Sequence, residues 1–311
     1  MDTGYTIVVG DQERLFSLCG VNDGNLRAIE DYLGAPVVSR GNELSVASSD
    51  ESVCRKFQII VERLISSNTE TPCPDMIAAL VSSLEHETPS EEAYIQIPHG
   101  IKRVYPKTVK QAELIQRLQR NEIVFAVGPA GTGKTFIAVA EALRLVLSRQ
   151  ARKMVLTRPV VEAGESLGFL PGDLEQKLSP YLRPLYDSME TLLSPEILRK
   201  MEDSRMIEMA PLAYMRGRTL DHCVVILDEA QNATPEQMKM FLTRLGEGSR
   251  AIITGDPSQT DLPGRMSGGL SHALDLLRNI PEIGIVQMEN RDVIRHPLVK
   301  KIIQAYEQEK K

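Results

Sequence analysis

A short glycine-rich segment carries the residue types that hold the phosphates of a nucleotide. It reads Gly128-Pro129-Ala130-Gly131-Thr132-Gly133-Lys134-Thr135. Glycine lets a backbone bend closely around an anion because it has no Cβ. Lys134 can bring a positive charge to the β- and γ-phosphates, and the hydroxyl of Thr135 is suited to binding Mg²⁺. The segment therefore predicts a phosphate-binding loop for a nucleotide with Mg²⁺.

The flanking sequence places this loop between a strand and a helix. Ile123–Val127 is a short apolar block with β-branched and aromatic residues, which is typical of a buried strand. Phe136–Leu143 is rich in Ala and Leu and contains no helix breaker. This order directs backbone N–H groups and a helix N-terminus at an anion. The alternative is a chance match to the loop pattern, but a chance match would not require a strand before the loop and a helix after it.

Two adjacent acids follow a second apolar strand. Cys223–Leu227 is uninterrupted in its apolar character and leads into Asp228-Glu229-Ala230-Gln231. The carboxyl end of a parallel strand faces the ligand crevice. We expect Asp228 to hold Mg²⁺ through its water shell and Glu229 to polarise the attacking water. The alternative is a solvated acidic turn.

A third strand, Arg250–Thr254, ends in the turn Gly255-Asp256-Pro257-Ser258-Gln259. Gly and Pro favour a tight turn, which would project Asp256 and Gln259 toward the same crevice. There Gln259 can hydrogen-bond both the γ-phosphate and the attacking water, and so distinguish ATP from ADP. Taken alone, the segment is an ordinary turn.

The elements that must position these residues alternate between strands and helices. Six short apolar segments are predicted as strands, at residues 123–127, 153–157, 206–209, 223–227, 250–254 and 283–288. With helices between them, they predict an α/β fold built on a parallel, doubly wound sheet.

Residues 1–66 are predicted to form a separate small α+β domain of one strand, two helices, a hairpin and a last helix. This order resembles a KH-type RNA-binding module, in which a glycine loop between two helices holds the nucleic-acid backbone. Here Gly20 and Gly24 lie one residue further apart than in the Gly-x-x-Gly pattern, and the turn carries Asp23 but no basic residue. Both RNA binding and a role in assembly or in docking a partner stay open for this domain.

Residues 67–104 are predicted to be a linker, because Ser67–Pro72 and Glu85–Glu92 are polar, acidic and punctuated by proline. One short helix from Asp75 to Glu85 is predicted within it. The larger domain then spans residues 105–311.

Charge and composition restrict the class of protein. The net charge of −6 over 311 residues argues against coating nucleic acid by bulk attraction. Residues 101–120 differ, with six basic residues against the single acid Glu113. They predict either a solvated helix face or a patch that contacts phosphates. The basic residues are Lys102, Arg103, Lys107, Lys110, Arg117 and Arg120.

The four cysteines lack the spacing of a zinc site or a redox pair, so we expect reduced thiols in the cytosol. Residues 1–10 do not have the pattern of a signal peptide, and no apolar run is as long as a membrane span. The expected location is the cytoplasm, without membrane contact.

The loop, the acidic box and the Gly255–Gln259 turn, in this order, resemble the first motor domain of superfamily 1 helicases. Four longer strings are similar to those of the PhoH-like ATPases, a family of bacterial cytosolic P-loop proteins. They are Thr157–Val160, Met215–Leu220, Asp228–Asn232 and Arg295–Val299. The resemblance extends from about Tyr105 to the C-terminus. It implies a RecA-like domain that binds and hydrolyses ATP with Mg²⁺.

The resemblance to helicases also implies roles for two further residues. A Gln placed like Gln111 hydrogen-bonds the adenine edge, which selects ATP over GTP; the alternative is a surface Gln on a helix. Arg158 follows the second strand, where related motors contact the nucleic-acid backbone. We therefore predict a nucleic-acid contact at Arg158, with a structural ion pair as the alternative.

Helicases of this type use a second motor domain to bring an arginine to the γ-phosphate. Only about fifty residues follow Pro263, so no second unit is expected to fit. Our hypothesis is a closed ring in which Arg295 or Arg291 of one subunit reaches the nucleotide of its neighbour. The resemblance to PhoH-like proteins implies a hexamer. Alternatively, both arginines cap helices at the surface.

Two functions follow from these features. One is an ATP-driven, RNA-dependent motor that unwinds or remodels RNA. The other is an ATP-dependent switch that docks a protein partner, for example in ribosome or RNA maturation. A nuclease is less well supported, because the N-terminal acids are scattered rather than clustered for two metal ions.

Overall fold

The computed structural model describes residues 4–66, 72–86, 93–101, 103–159, 174–262, 268–294 and 298–299. The chain divides into two compact units. The first comprises Met1–Ala93 with Tyr105–Val109, and the second comprises Tyr94–Val104 with Lys110–Lys311. Within the described ranges, no helix combines the length and the apolar character needed to cross a bilayer.

The first unit contains a three-stranded antiparallel sheet with β3 at its centre, in the order β1-β3-β2. The order of elements agrees with the predicted α+β arrangement. The elements are β1 Tyr5–Val8, α1 Gln12–Cys19, α2 Gly24–Leu33, β2 Val37–Arg40, β3 Glu43–Val46, α3 Glu51–Ser66 and α4 Pro74–His86.

Apolar residues at helical spacing form the core of the first unit. Helix α3 buries Phe57, Ile60, Val61 and Leu64, which lie on one face of the helix. Helix α4 adds residues to the same core, among them Ile77. The first unit therefore includes α4, although the sequence predicts that helix to lie in a linker.

The glycine turn of the first unit requires only one of its two glycines. Gly20 has φ +72°, and a Cβ placed on it would lie 2.7 Å from Cγ of Asn25. The Asn25 side chain is buried and donates a hydrogen bond of 2.9 Å to the carbonyl of Pro72. Gly24 has an ordinary helical backbone and open space around it. A KH-type loop stays a prediction.

The second unit is a six-stranded sheet in which every pair of neighbouring strands is parallel, in the order β6-β5-β7-β8-β4-β9. This confirms the predicted parallel, doubly wound α/β sheet of a RecA-like P-loop fold, with every strand within one residue of its predicted bounds. The elements are α5 Val109–Arg120, β4 Ile123–Val127, α6 Lys134–Leu147, β5 Lys153–Thr157, α7 Leu174–Leu192, α8 Pro195–Asp203, β6 Ile207–Met209, β7 Cys223–Leu227, α9 Pro235–Leu242, β8 Arg250–Gly255, α10 Gly269–Leu277 and β9 Ile283–Gln287.

The central strands are apolar because both of their faces are buried. All five residues of β7 are buried, and β8 is buried after its first residue. Helix α6 is buried over most of its length, and its alanines let it pack closely. This packing fixes the positions at which the strands end.

The register brings the ends of four strands to one edge of the sheet. Val127 of β4 pairs with Gly255 of β8, and Thr157 of β5 pairs with Leu227 of β7. Since β7 and β8 are themselves neighbours, the residues that follow these strands converge. The glycine-rich loop and the acidic box lie at this edge.

Candidate nucleotide-binding site

The glycine-rich loop connects β4 to α6 and adopts a conformation that its glycines permit. Gly128, Gly131 and Gly133 have φ values of +137°, +85° and +84°, a region that other residues rarely adopt. A Cβ on Gly128 would lie 2.3 Å from the carbonyl oxygen of Met288. The backbone N–H of Gly128 also donates to Gly255, at 3.1 Å. The loop is thus built into the sheet edge on both sides.

The ammonium of Lys134 is folded back onto this loop. Its Nζ donates to the carbonyls of Gly128 and Pro129 at 2.6 and 2.7 Å, and lies 3.3 Å from Oγ1 of Thr132. The residue is 8% exposed. Burial lowers the pKa of Lys134, while the negative charges of three nearby carboxylates act in the opposite direction. Those carboxylates belong to Asp256, Glu229 and Asp228.

Two hydroxyls converge on the carboxylate of Asp228. Oγ1 of Thr135 donates to its Oδ1 at 2.9 Å, and Oγ1 of Thr254 donates to the same oxygen at 2.5 Å. Asp228 is 4% exposed, and its backbone N–H bonds the carbonyl of Thr157 at 3.0 Å. A hydroxyl and a carboxylate are oxygen ligands of the type that Mg²⁺ prefers. The donor set therefore fits the predicted Mg²⁺ site.

Glu229 is held from two sides. Its Oε1 lies 3.1 Å from Nη2 of Arg158, and its Oε2 accepts a hydrogen bond of 2.5 Å from Nε2 of Gln231. Its backbone is left-handed, with φ 52° and ψ 42°. Arg158 thus forms the ion pair that was the alternative to a nucleic-acid contact, and the nucleic-acid role stays a prediction.

The turn after β8 is organised by Asp256. Its Oδ1 accepts hydrogen bonds from the backbone N–H and the hydroxyl of Ser258, and its Oδ2 accepts one of 2.9 Å from Nε2 of Gln259. Asp256 is 8% exposed. The side chain of Gln259 is therefore oriented by a nearly buried carboxylate.

These residues line one cleft of about 340 Å³. A volume of this size suits a small ligand. The lining residues come from the loop and the start of α6, the segment after β5, the acidic box, the turn after β8 and helix α7. They include the predicted Lys134, Thr135, Arg158, Asp228, Glu229 and Gln259.

Gln111 lies beneath the loop. It is 4% exposed, and its Nε2 donates to the carbonyl of Thr132 at 2.9 Å. A Cβ on Gly133 would lie 2.9 Å from the same nitrogen. Gln111 therefore supports the loop, and its predicted contact with adenine stays a prediction.

Arg291 and Arg295 are the two arginines predicted to reach the nucleotide of a neighbouring subunit. Arg291 is exposed and pairs with Glu289 at 3.2 Å. It does not line the cleft, but its segment reaches the loop, since the backbone N–H of Ile294 donates to Gly131 at 2.9 Å. Arg295 lies outside the described residues.

The basic cluster of residues 101–120 is engaged in local contacts at several positions. Lys107 pairs with Asp75 at 3.1 Å, and Lys110 pairs with Glu113 at 2.8 Å. Arg103 lies over the ring of Tyr94 at 5.5 Å. Lys102 lies outside the described residues. These contacts favour the solvated-face interpretation for the part of the cluster that is described.

Sequence reasoning missed several residues of the site. Thr254 and Gln231 were not assigned roles, although both contact a predicted catalytic acid. The signal for Thr254 was its position as the last polar residue of an apolar strand. Pro184 and Ser188 of α7 also line the cleft, and no local pattern marks them.

Comparison with known proteins places this architecture in a family. The family model described as "PhoH-like protein" matches residues 103–307. The chain is 46% identical over 309 residues to a PhoH-like protein of Bacillus subtilis strain 168, covering 96% of this chain and 95% of that protein. A PhoH-like protein of Mycobacterium tuberculosis strain H37Rv is 44% identical over 294 residues, covering 93% of this chain and 84% of that protein.

Among solved structures, the Pif1 helicase of Candida albicans is similar at 14% identity and a TM-score of 0.30. That match covers 58% of this chain and 39% of the helicase chain. The family match and the identities over nearly the whole length show that this chain belongs to the PhoH family.

Proposed function

We propose that this chain hydrolyses ATP with Mg²⁺ in the cleft, that RNA stimulates the reaction, and that the active form is a ring. One observation carries the ATPase proposal: five residues with complementary chemical roles line one cleft at the carboxyl edge of the parallel sheet. They are Lys134, Thr135, Asp228, Glu229 and Gln259.

Each side chain has a defined task in this proposal. Lys134 binds the β- and γ-phosphates, and Thr135 and Asp228 hold the metal ion. When bound, Mg²⁺ supplies positive charge to the phosphate oxygens. Glu229 accepts the proton of the attacking water, and Gln259 orients that water against the γ-phosphate.

The free thiols of the described chain agree with a cytoplasmic location.

An exposed turn near the cleft supports the RNA part of the proposal. Arg216 and Gly217 occupy the centre of a type II turn, with φ −63° and ψ 129° at Arg216 and φ +78° at Gly217. Tyr214 is 56% exposed beside it. Since the carbonyl of Arg158 accepts from the N–H of Leu212 at 3.4 Å, this segment adjoins the cleft. An exposed aromatic ring and a guanidinium suit a single-stranded nucleic acid.

Steady-state ATP hydrolysis with and without single-stranded RNA at low salt tests this proposal. We expect RNA to accelerate turnover, and we expect Arg216→Ala to reduce the stimulation without changing basal turnover. Lys200→Ala, on the exposed face of α8, is the control for the loss of one positive charge. Absence of stimulation in the unmodified protein would contradict the RNA-dependent motor.

A second function is an ATP-dependent switch that docks a protein partner. It is favoured by the first unit, where Phe16 is 70% and Val21 is 89% exposed around the glycine turn. Exposed apolar side chains there suit a protein surface better than a phosphate backbone. Tight ATP binding, together with a rate of ATP hydrolysis that RNA does not change, would favour this function over the motor.

The proposal of a ring is based on the charges that line the cleft. Within the described residues, the positively charged side chains lining it are Lys134 and Arg158, and Arg158 is paired with Glu229. Fast hydrolysis needs a further cation at the developing charge. We propose that Arg295 or Arg291 of a neighbouring subunit supplies it, in a closed ring that is a hexamer.

Subunit mixing tests the ring. Glu229→Gln subunits keep both arginines, whereas Arg295→Ala subunits keep Glu229. If the arginine acts between subunits, a mixture of these two slow variants regains part of the lost turnover. The same mixture is made with Arg291→Ala. Normal hydrolysis by both arginine variants, or a strictly monomeric protein that turns over rapidly, would refute the ring.

A further inference from the structure

Gln231 lies behind the cleft and is not among its lining residues. It belongs to the 3₁₀ segment Ala230–Asn232 and is 4% exposed. Its Nε2 donates to Oε2 of Glu229 at 2.5 Å, and its Oε1 accepts the backbone N–H of Asp256 at 3.1 Å. One side-chain amide therefore joins the predicted general base to the turn that carries Gln259.

The orientation of this amide is fixed by its partners. A carboxylate only accepts hydrogen bonds and a backbone N–H only donates, so the NH₂ group must face Glu229 and the carbonyl must face Asp256. A carboxylate or an apolar group at position 231 cannot satisfy both partners. The link to Glu229 thus requires an amide of this length.

The connection continues beyond Asp256. The carboxylate of Asp256 accepts from Nε2 of Gln259 at 2.9 Å, so side chains and one backbone N–H connect Gln259 to Glu229. Oε1 of Glu229 is held independently by Arg158 at 3.1 Å. Gln231 therefore links Glu229 of the acidic box to the turn that carries Gln259.

The backbone around Gln231 is shaped to admit its side chain. A Cβ on Gly255 would lie 2.7 Å from Oε1 of Gln231 and 3.3 Å from the backbone nitrogen of Ala230. Glu229 itself adopts a left-handed backbone. A strained conformation of this type persists where the surroundings determine it, and the bond from Gln231 is one such constraint.

We infer that Gln231 is a positioning residue: it holds the Glu229 carboxylate for water activation and couples it to the turn that carries Gln259. The inference rests on the proposed role of Glu229 in hydrolysis. A displacement of Asp256 is transmitted to Glu229 through a single buried amide, so the Gln259 turn acts on the orientation of the base together with Arg158.

Gln231→Met tests this role, because it keeps the length of the side chain and removes both hydrogen bonds. We expect kcat to fall on the order of 10- to 100-fold, since small misplacements of catalytic groups have effects of this size, while the Kd for ATP stays within about twofold. Gln231→Glu keeps the acceptor for Asp256 but cannot donate to Glu229, and serves as the second variant. The matched control is Gln237→Leu, which breaks the capping box of α9 and is expected to lower Tm with kcat unchanged.

A double-mutant cycle with Gln259→Ala separates coupling from a general structural effect. If Gln231 connects the two sides, the double variant loses little more than the worse of the two single variants. Losses that multiply, or a folded Gln231→Met protein with kcat within twofold of the unmodified protein, would overturn the inference. Glu229→Gln distinguishes the two levels: normal turnover there removes the proposed function, whereas slow turnover there with normal Gln231→Met removes only this inference.

Discussion

The hydroxyl of Thr135 donates a hydrogen bond of 2.9 Å to Oδ1 of Asp228. These residues are 93 positions apart in the chain, and the bond joins the first turn of α6 to the end of β7. Thr254 of β8 donates to the same carboxylate oxygen. Three elements thus meet at one oxygen, within the group of side chains that we propose holds the metal ion.

Thr135→Val removes the hydroxyl while keeping the shape of the side chain. We expect the Mg²⁺ concentration that gives half-maximal ATP hydrolysis to rise on the order of 10- to 100-fold, because a hydrogen bond to a charged group contributes about 1.5–3 kcal/mol and we take a metal ligand to be comparable. A Mg²⁺ titration at fixed ATP measures this. Thr191→Val, on the exposed part of α7, is the control. An unchanged Mg²⁺ requirement would argue against Thr135 as a metal ligand.

Lys134→Ala removes the only cation that the loop itself contributes to the cleft among the described residues. The affinity for ATP is expected to fall on the order of 10- to 100-fold, since a charge-assisted hydrogen bond contributes about 1.5–3 kcal/mol. Calorimetric titration with ATP measures the change. The matched control is Lys200→Ala, whose ammonium pairs with Glu196 at the surface. Unchanged nucleotide affinity in Lys134→Ala would contradict the assignment of the loop.

A carboxylate away from the cleft makes the stability of the second unit depend on pH. Glu208 of β6 accepts hydrogen bonds from Lys153 at 2.5 Å and from Arg218 at 2.6 Å. Burial raises the pKa of Glu208, but the hydrogen bonds and charges of Arg218 and Lys153 outweigh it and hold the pKa below its ordinary value. The resulting stabilisation is present above the unfolded pKa of about 4.3 and is lost as the pH falls through the folded value.

Glu208→Gln is therefore expected to lower the free energy of unfolding by about 1 kcal/mol at pH 7. The difference from the unmodified protein should shrink as the pH falls below about 4. Urea unfolding at several pH values measures both effects. Glu196→Gln breaks an exposed ion pair and serves as the control. A difference that stays constant with pH would show that the carboxylate charge of Glu208 does not contribute.

The sheet was predictable because its signal is local. Strands buried on both faces are continuous apolar runs, as in Cys223–Leu227, and glycine with proline marks the turns between them. The loop and the acidic box were predictable for the same reason, since each is contiguous in the sequence.

The contacts between motifs were not predictable from local sequence. Thr254 contacts Asp228 because β7 and β8 are neighbours in the sheet. The sequence of neither strand predicts which strand lies beside it. The amide of Gln231 bonds a backbone N–H 25 positions later. The apolar residues of helix α4 are plain in the sequence, but the sequence does not show which core they join.

Turnover of Glu229→Gln at saturating ATP and Mg²⁺ tests most directly whether this cleft hydrolyses ATP. We expect the variant to bind ATP with the affinity of the unmodified protein and to hydrolyse it more slowly by a factor on the order of 10² to 10⁴, because the attacking water loses its base. Glu236→Gln, at the exposed start of α9, should match the unmodified protein. Normal hydrolysis by Glu229→Gln would contradict the assignment of Glu229 and the site chemistry built on it.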